Sequence, residues 1–224
     1  AGKDSSDGDS SAQEHESDAE EGCLFGYIGF PDCPFTNTPG FEPITAGTFW
    51  MGSPLSDKCP EGYPGVCETE DVDRWEEPLH QVTLTYDYEM QAHEVTQKQW
   101  REGALALGWE QHPSFFGENT WVEPCGENCP VEQVSWYEAL VYANYLSQSL
   151  GLPPCYILDD CTGVIGFGCE GHYTDCGAIG YTCTVELNEV DTPQECVGYR
   201  LPTEAEWEFA IRAGNQYTTF HQSE

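Results

Sequence analysis

The chain has 224 residues, 39% of them apolar and seven of them Trp, enough for one full domain or two small ones around a buried core. Forty acidic residues stand against seven basic ones, a formal net charge of −33, which repels phosphate and excludes nucleic acid and anionic membrane surfaces as partners. Cations and basic partners stay open, and a charge of this size also serves plain solubility. No apolar run approaches the roughly 20 residues that a membrane-spanning helix needs, and the first residues do not read as a signal peptide.

Twelve cysteines run from Cys23 to Cys196, an even number suited to disulfides in an oxidising compartment. The expectation is a secreted, periplasmic or cell-surface chain whose export signal has been removed. A zinc site would want two C-x₂₋₄-C pairs, and only Cys125 and Cys129 approach that spacing.

Residues 1–22 carry Ser, Gly and acids with no aromatic or branched aliphatic side chain, and so read as a disordered, self-repelling tether. Asp7 and Asp9 do not fit the spacing of an EF-hand loop. Residues 23–40 form a Cys- and Pro-rich lead-in, in which Cys23 and Cys33 are near enough in sequence to close a small loop.

The folded domain is expected over 41–224. Ile44 to Gly52, β-branched and aromatic, predicts a strand. A polar excursion follows from Ser53 to Pro78, with Cys59 and Cys67 bracketing a turn-rich stretch. Glu68, Glu70, Asp71, Asp73, Glu76 and Glu77 crowd its exit; calcium is one reading, a solvated loop the preferred one. From His80 to Met90, Val82, Leu84, Tyr86, Tyr88 and Met90 alternate with polar residues, predicting one strand with a buried and a wet face.

Three helices announce themselves by their ends. Thr96 and Gln99 make a capping box, Val95 and Trp100 a hydrophobic staple, and Gly108 a stop. Ser135 and Glu138 repeat the box before a stripe of Trp136, Leu140, Ala143, Leu146 and Leu150, which Gly151, Pro153 and Pro154 end. Thr203 and Glu206 repeat it again, with Pro202 and Trp207 as staple, Arg212 complementing the dipole and Gly214 as left-handed stop. There Trp207, Ala210 and Ile211 are expected to face the core. Helices separated by strands and long loops describe an α+β domain.

Residues 155–196 interrupt this plan with Cys155, Cys161, Cys169, Cys176, Cys183 and Cys196, whose spacing suits short disulfide-held hairpins. Tyr156, His172, Tyr173 and Tyr181 suggest binding, but a polar insert needing staples is the preferred reading. His80, His93, His112, His172 and His221 show no H-x-x-x-H spacing, and Asp159 with Asp160 reads as loop solvation. No catalytic, cofactor-binding or metal-ligating residue is assigned.

Joined in order, G-T-F-W-M-G-S, H-Q-V-T-L-T-Y-D-Y-E-M-Q-A-H-E-V-T-Q-K-Q-W, C-P-V-E-Q-V-S-W-Y-E-A-L-V-Y-A-N-Y-L and G-Y-R-L-P-T-E-A-E-W-E-F-A-I-R-A-G resemble the formylglycine-generating enzyme, or sulfatase-modifying factor, family over about residues 41–214. The resemblance implies an irregular, disulfide-rich α+β fold with long loops, related to the C-type lectin fold and incomplete in this sequence. It implies copper- and oxygen-dependent oxidation of a sulfatase cysteine to formylglycine, with calcium sites and a sulfatase polypeptide as partner. In the family the two copper-binding cysteines and the calcium sites lie downstream of the R-L-P-T-E-A-E-W-E helix, so no catalytic position carries over to this chain. Ala143 and Ile211 stand where some members have cysteines. The alternative is a non-catalytic extracellular module that binds protein or glycan on a lectin-like scaffold.

Overall fold

The computed structural model describes residues 40–53, 59–63, 78–109, 113–114, 128–168 and 180–213. The tether, the lead-in up to residue 39, the acids from Glu68 to Glu77, Cys67, Cys125, Cys169, Cys176, His112, His172, Tyr173, His221 and Gly214 lie outside them.

The first sheet is a long antiparallel ribbon broken once. β1 (Phe41–Ile44) pairs with β4 (Tyr88–Gln91), and β2 (Gly47–Met51) with β3 (His80–Leu84). Unbroken pairing from Ile44↔Tyr88 would set Gly47 opposite Thr85, yet Gly47 pairs with Leu84. One extra residue is therefore absorbed on the second strand, a bulge that splits the single strand expected over His80 to Met90. Asp87 holds the break, its Oδ1 accepting the Ala46 N–H at 2.6 Å. The alternation survives because Leu84 and Tyr88 are an even number apart, and both are buried.

α1 (Gln97–Ala106) and α2 (Trp136–Ser149) carry both predicted capping boxes. Their far ends match as well. Gly108 and Gly151 each adopt φ 75°, and the residues after them, Trp109 and Leu152, donate back to the carbonyls of Ala104 and Ser147. α1 packs on α2 through Trp100, which stacks on Tyr142 with ring centroids 4.9 Å apart. Gly103 permits that approach, since a Cβ there would collide with the Tyr142 ring.

α2 is enclosed on two sides rather than along one stripe. Tyr142, Val141 and Tyr145 face α1, while Leu140 and Ala143 face a second cluster with Cys155, Tyr156 and Cys196. Trp136 and Leu150 were expected inside and are 55% and 52% exposed. Glu138 takes the interior of the first turn, and the turn after α2 buries Leu152 in place of Leu150.

The insert forms a hairpin of β5 (Tyr156–Thr162) and β6 (Thr182–Leu187), closed by the Cys161–Cys183 disulfide. Continuing the register of Asp159↔Thr184 would set Asp160 opposite Cys183; Thr162 instead pairs with Thr182. Asp160 is the additional residue, with φ 50°, and its bulge returns Cys161 to a position facing Cys183. A second disulfide, Cys155–Cys196, ties the start of β5 to the segment after a short 3₁₀ turn (Pro193–Glu195).

α3 (Glu204–Ile211) has its predicted capping box but the opposite orientation. Trp207 is 46% and Ile211 50% exposed, while Glu206, Glu208 and Arg212 are buried. The inward stripe is Ala205, Glu208, Phe209 and Arg212. Phe209 packs on Phe49 of β2 at 5.2 Å, close over Gly47. Acids paired with arginines fill positions that an apolar stripe would normally fill. The left-handed stop falls on Ala213, φ 48°.

Candidate functional site

Three fully or nearly enclosed glutamates define the polar interior, and each is answered differently. Glu206 caps α3 by accepting the Thr203 N–H at 2.7 Å, and it receives both Arg200 Nη1 and Nη2, at 2.8 and 2.6 Å. Tyr86 donates to its Oε1 and Tyr88 to its backbone carbonyl, which fastens the ribbon to the helix. Burial pushes the Glu206 carboxyl up, but the bonds and charge of Arg200 and the Thr203 N–H outweigh it and hold the group below the usual range. Burial pulls the Arg200 guanidinium down, and Glu206 more than reverses that. Burial drives the Tyr88 hydroxyl far above its ordinary value, with the Glu206 charge adding to the effect.

Glu208 has a shorter reach. Its Oε1 accepts the Gly52 N–H at 2.8 Å and Arg212 Nε at 2.9 Å, while Arg212 donates to the Gly52 carbonyl at 3.3 Å. Among the described residues Glu138 accepts from backbone N–H groups. Its Oε2 accepts the Ser135 N–H at 2.9 Å, and its Oε1 the Gly166 and Gly168 N–H groups at 2.7 and 3.0 Å. All three carboxylates are committed to joining elements, which is structural chemistry rather than proton transfer.

What faces solvent is different in kind. Phe167 lies between the two glycines whose N–H groups Glu138, in the first turn of α2, accepts. Trp136, Phe167 and Val164 are exposed, and Trp136 meets Tyr137 edge to face at 5.2 Å. Residues 102–199 contain no Lys or Arg, so these residues sit within a wholly acidic stretch of sequence. Exposed aromatic side chains in an acidic stretch can hold an apolar or cationic group.

Among the described residues, those singled out in the sequence do not assemble into a reactive centre. His80 and His93 are exposed, with His80 Nδ1 2.7 Å from the Pro78 carbonyl, and Asp159 and Asp160 lie exposed on β5. Tyr156 is buried, its hydroxyl accepting the Leu201 N–H. Among the described residues no group of three or more His, Cys, Asp or Glu is placed to hold a metal. Cys129 is disulfide-bonded, which removes it as a zinc ligand. The glutamates at the third helical position were legible as caps, but their enclosure was not, because nothing local distinguishes Glu138 and Glu206 from exposed Gln99.

The fold is an irregular α+β domain of short ribbons and three capped helices, held by disulfides. The chain belongs to the sulfatase-modifying factor enzyme 1-like domain family, whose model matches residues 31–224. It is 34% identical over 142 residues to the chaperone protein LppX of Paenibacillus barcinonensis, covering 63% of this chain and 41% of that protein. Among solved structures it is similar to Treponema denticola variable protein 1, at 28% identity and a TM-score of 0.44, covering 78% of this chain and 52% of that one. PvdO from Pseudomonas aeruginosa is 22% identical with a TM-score of 0.35, covering 57% and 44%. The chain thus spans about half the length of these proteins or less. No helix among the described residues is long and apolar enough to cross a membrane.

Proposed function

We propose that this chain is a recognition module on the sulfatase-modifying factor scaffold, acting outside the cytoplasm and holding a basic polypeptide. The observation that carries the reading is exposed Trp136 at the start of α2, packed on half-buried Tyr137, together with exposed Phe167 in the loop that Glu138 binds, all in a stretch of sequence without a single Lys or Arg. Aromatic side chains of this kind anchor interfaces, and the acidic setting favours cationic partners. The likeness to a protein named a chaperone supports polypeptide as the partner class. Disulfides in every described cysteine support an oxidising compartment.

The second reading is the family reaction, copper- and oxygen-dependent oxidation of a sulfatase cysteine to formylglycine, and the family match favours it. Copper(I) requires soft thiolates. The six described cysteines do not fit it, because Cys59, Cys129, Cys155, Cys161, Cys183 and Cys196 are all disulfide-bonded. Calcium has no donor cluster among the described residues.

One experiment separates the two. Tryptophan fluorescence is titrated with a Lys/Arg-rich peptide, an Asp/Glu-rich peptide of equal length and a neutral oligosaccharide. In parallel, a cysteine-containing sulfatase peptide is incubated with Cu(I) and air and weighed for formylglycine. The module reading expects saturable binding of the basic peptide alone, weakened about tenfold or more by Trp136→Ala. Binding of all three probes equally, or of none, overturns it, and peptide oxidation establishes the enzyme instead.

A further inference from the structure

The two described disulfides differ in what can reach them. Cys155–Cys196 is enclosed, its residues 1% and 7% exposed against Leu140, Ala143 and Tyr156. Cys161 is exposed and Cys183 half-buried, because the Asp160 bulge sets this bridge near the end of the hairpin, one residue from the Thr162–Thr182 hydroxyl pair. The charged residues of the hairpin strands are all acidic. Asp159 and Asp160 directly precede Cys161, Glu186 is exposed on β6, and residues 102–199 supply no cation from Lys or Arg. Disulfides are opened by thiolates, which are anions, so the local field sorts reagents by their remaining charge.

We propose that Cys161–Cys183 is a thiol–disulfide exchange site in the folded chain, open to small thiols bearing a cationic group and guarded against anionic ones. The attacking thiolate bonds to the exposed Cys161 Sγ, the S–S bond breaks, and its electron pair leaves on Cys183 Sγ, which takes a proton from water. The product is a mixed disulfide on Cys161 and a free thiol at Cys183. A second thiol then attacks the incoming sulfur, freeing the Cys161 thiol and carrying two electrons into the protein as one small-molecule disulfide departs. Cys155–Cys196 stays closed, since an incoming sulfur has no path to it without unfolding.

The test compares cysteamine, whose thiolate form has no net charge, with 2-mercaptoethanesulfonate, whose thiolate carries two negative charges. The whole native chain is treated at matched thiolate concentration and low salt, alkylated, and digested for mass spectrometry, with far-UV circular dichroism recorded alongside. Cys161 and Cys183 should be modified about tenfold faster by cysteamine. That preference should fall toward one at 1 M salt, where the screening length is about 3 Å, and in the Asp159→Asn/Asp160→Asn variant. Asn tolerates the left-handed conformation of position 160, so the bulge is retained. Cys155 and Cys196 should stay unmodified while the spectrum is native. Equal rates for the two disulfides, equal rates for the two thiols, or loss of the spectrum in step with modification would each overturn the proposal.

Discussion

α2 and α3 begin alike, with a Ser or Thr cap answered three residues on by a glutamate that has no exposed surface. At α3 the carboxylate meets a guanidinium, Arg200, and two tyrosines from the ribbon reach into the same site. At α2 three backbone N–H groups do the work, two of them from the loop after β5. The same four-residue signature therefore serves two purposes. One glutamate joins charges, and the other organises a loop through its backbone N–H groups. α1 supplies the reference, because its Gln99 closes a third box on the exposed surface.

The largest effect is expected at Glu206. Glu206→Gln strands the Arg200 guanidinium in a buried setting and should cost about 3–5 kcal/mol in chemical denaturation. Adding Arg200→Met should recover part of that loss, since removing both partners of a buried pair is milder than removing one. No recovery would show that Arg200 has duties beyond Glu206. The acid limb tests the same pair. The Glu206 pKa is depressed in the fold, so its contribution is present above the ordinary 4.5 and is lost as pH falls through the lower folded value. Acid unfolding of Glu206→Gln should accordingly be shallower than that of the parent chain.

Glu138→Gln should cost less, about 2–3 kcal/mol, because it orphans backbone N–H groups without stranding a charge. No second substitution should rescue it. Hydrogen exchange at Gly166 and Gly168 should quicken, and unchanged exchange would mean that the loop is held by other contacts. The smallest effect belongs to Gln99→Ala, about 0.3–1 kcal/mol, as expected for an exposed capping interaction. A cost equal to that of Glu138→Gln would erase the distinction between enclosed and exposed boxes.

Helix ends were readable from the sequence because their signals are local. Thr96, Ser135 and Thr203 cap as expected, and Gly108 and Gly151 close as expected. The side on which α3 rests was not readable. Glu208 and Arg212 look like solvent residues until Gly52, 156 and 160 positions away, accepts and donates between them. Trp207 and Ile211 are left outside in consequence. The ribbon's bulge was hidden for another reason, since the inserted residue preserves the alternation from Leu84 to Tyr88. The hold of Glu138 on the loop around Phe167 was also hidden, because Gly166 and Gly168 lie 28 and 30 residues further along the chain.

The grip of Glu208 and Arg212 on Gly52 also sets an order in time. Tyr86 and Tyr88 wait likewise for Glu206, 120 and 118 residues later. Contacts so distant along the chain are formed late and slowly, because the intervening loop must close before they repay its entropy. The ribbon is thus completed by a helix that is made more than a hundred residues after it. A ribbon built this way stays unfinished until that helix has been made.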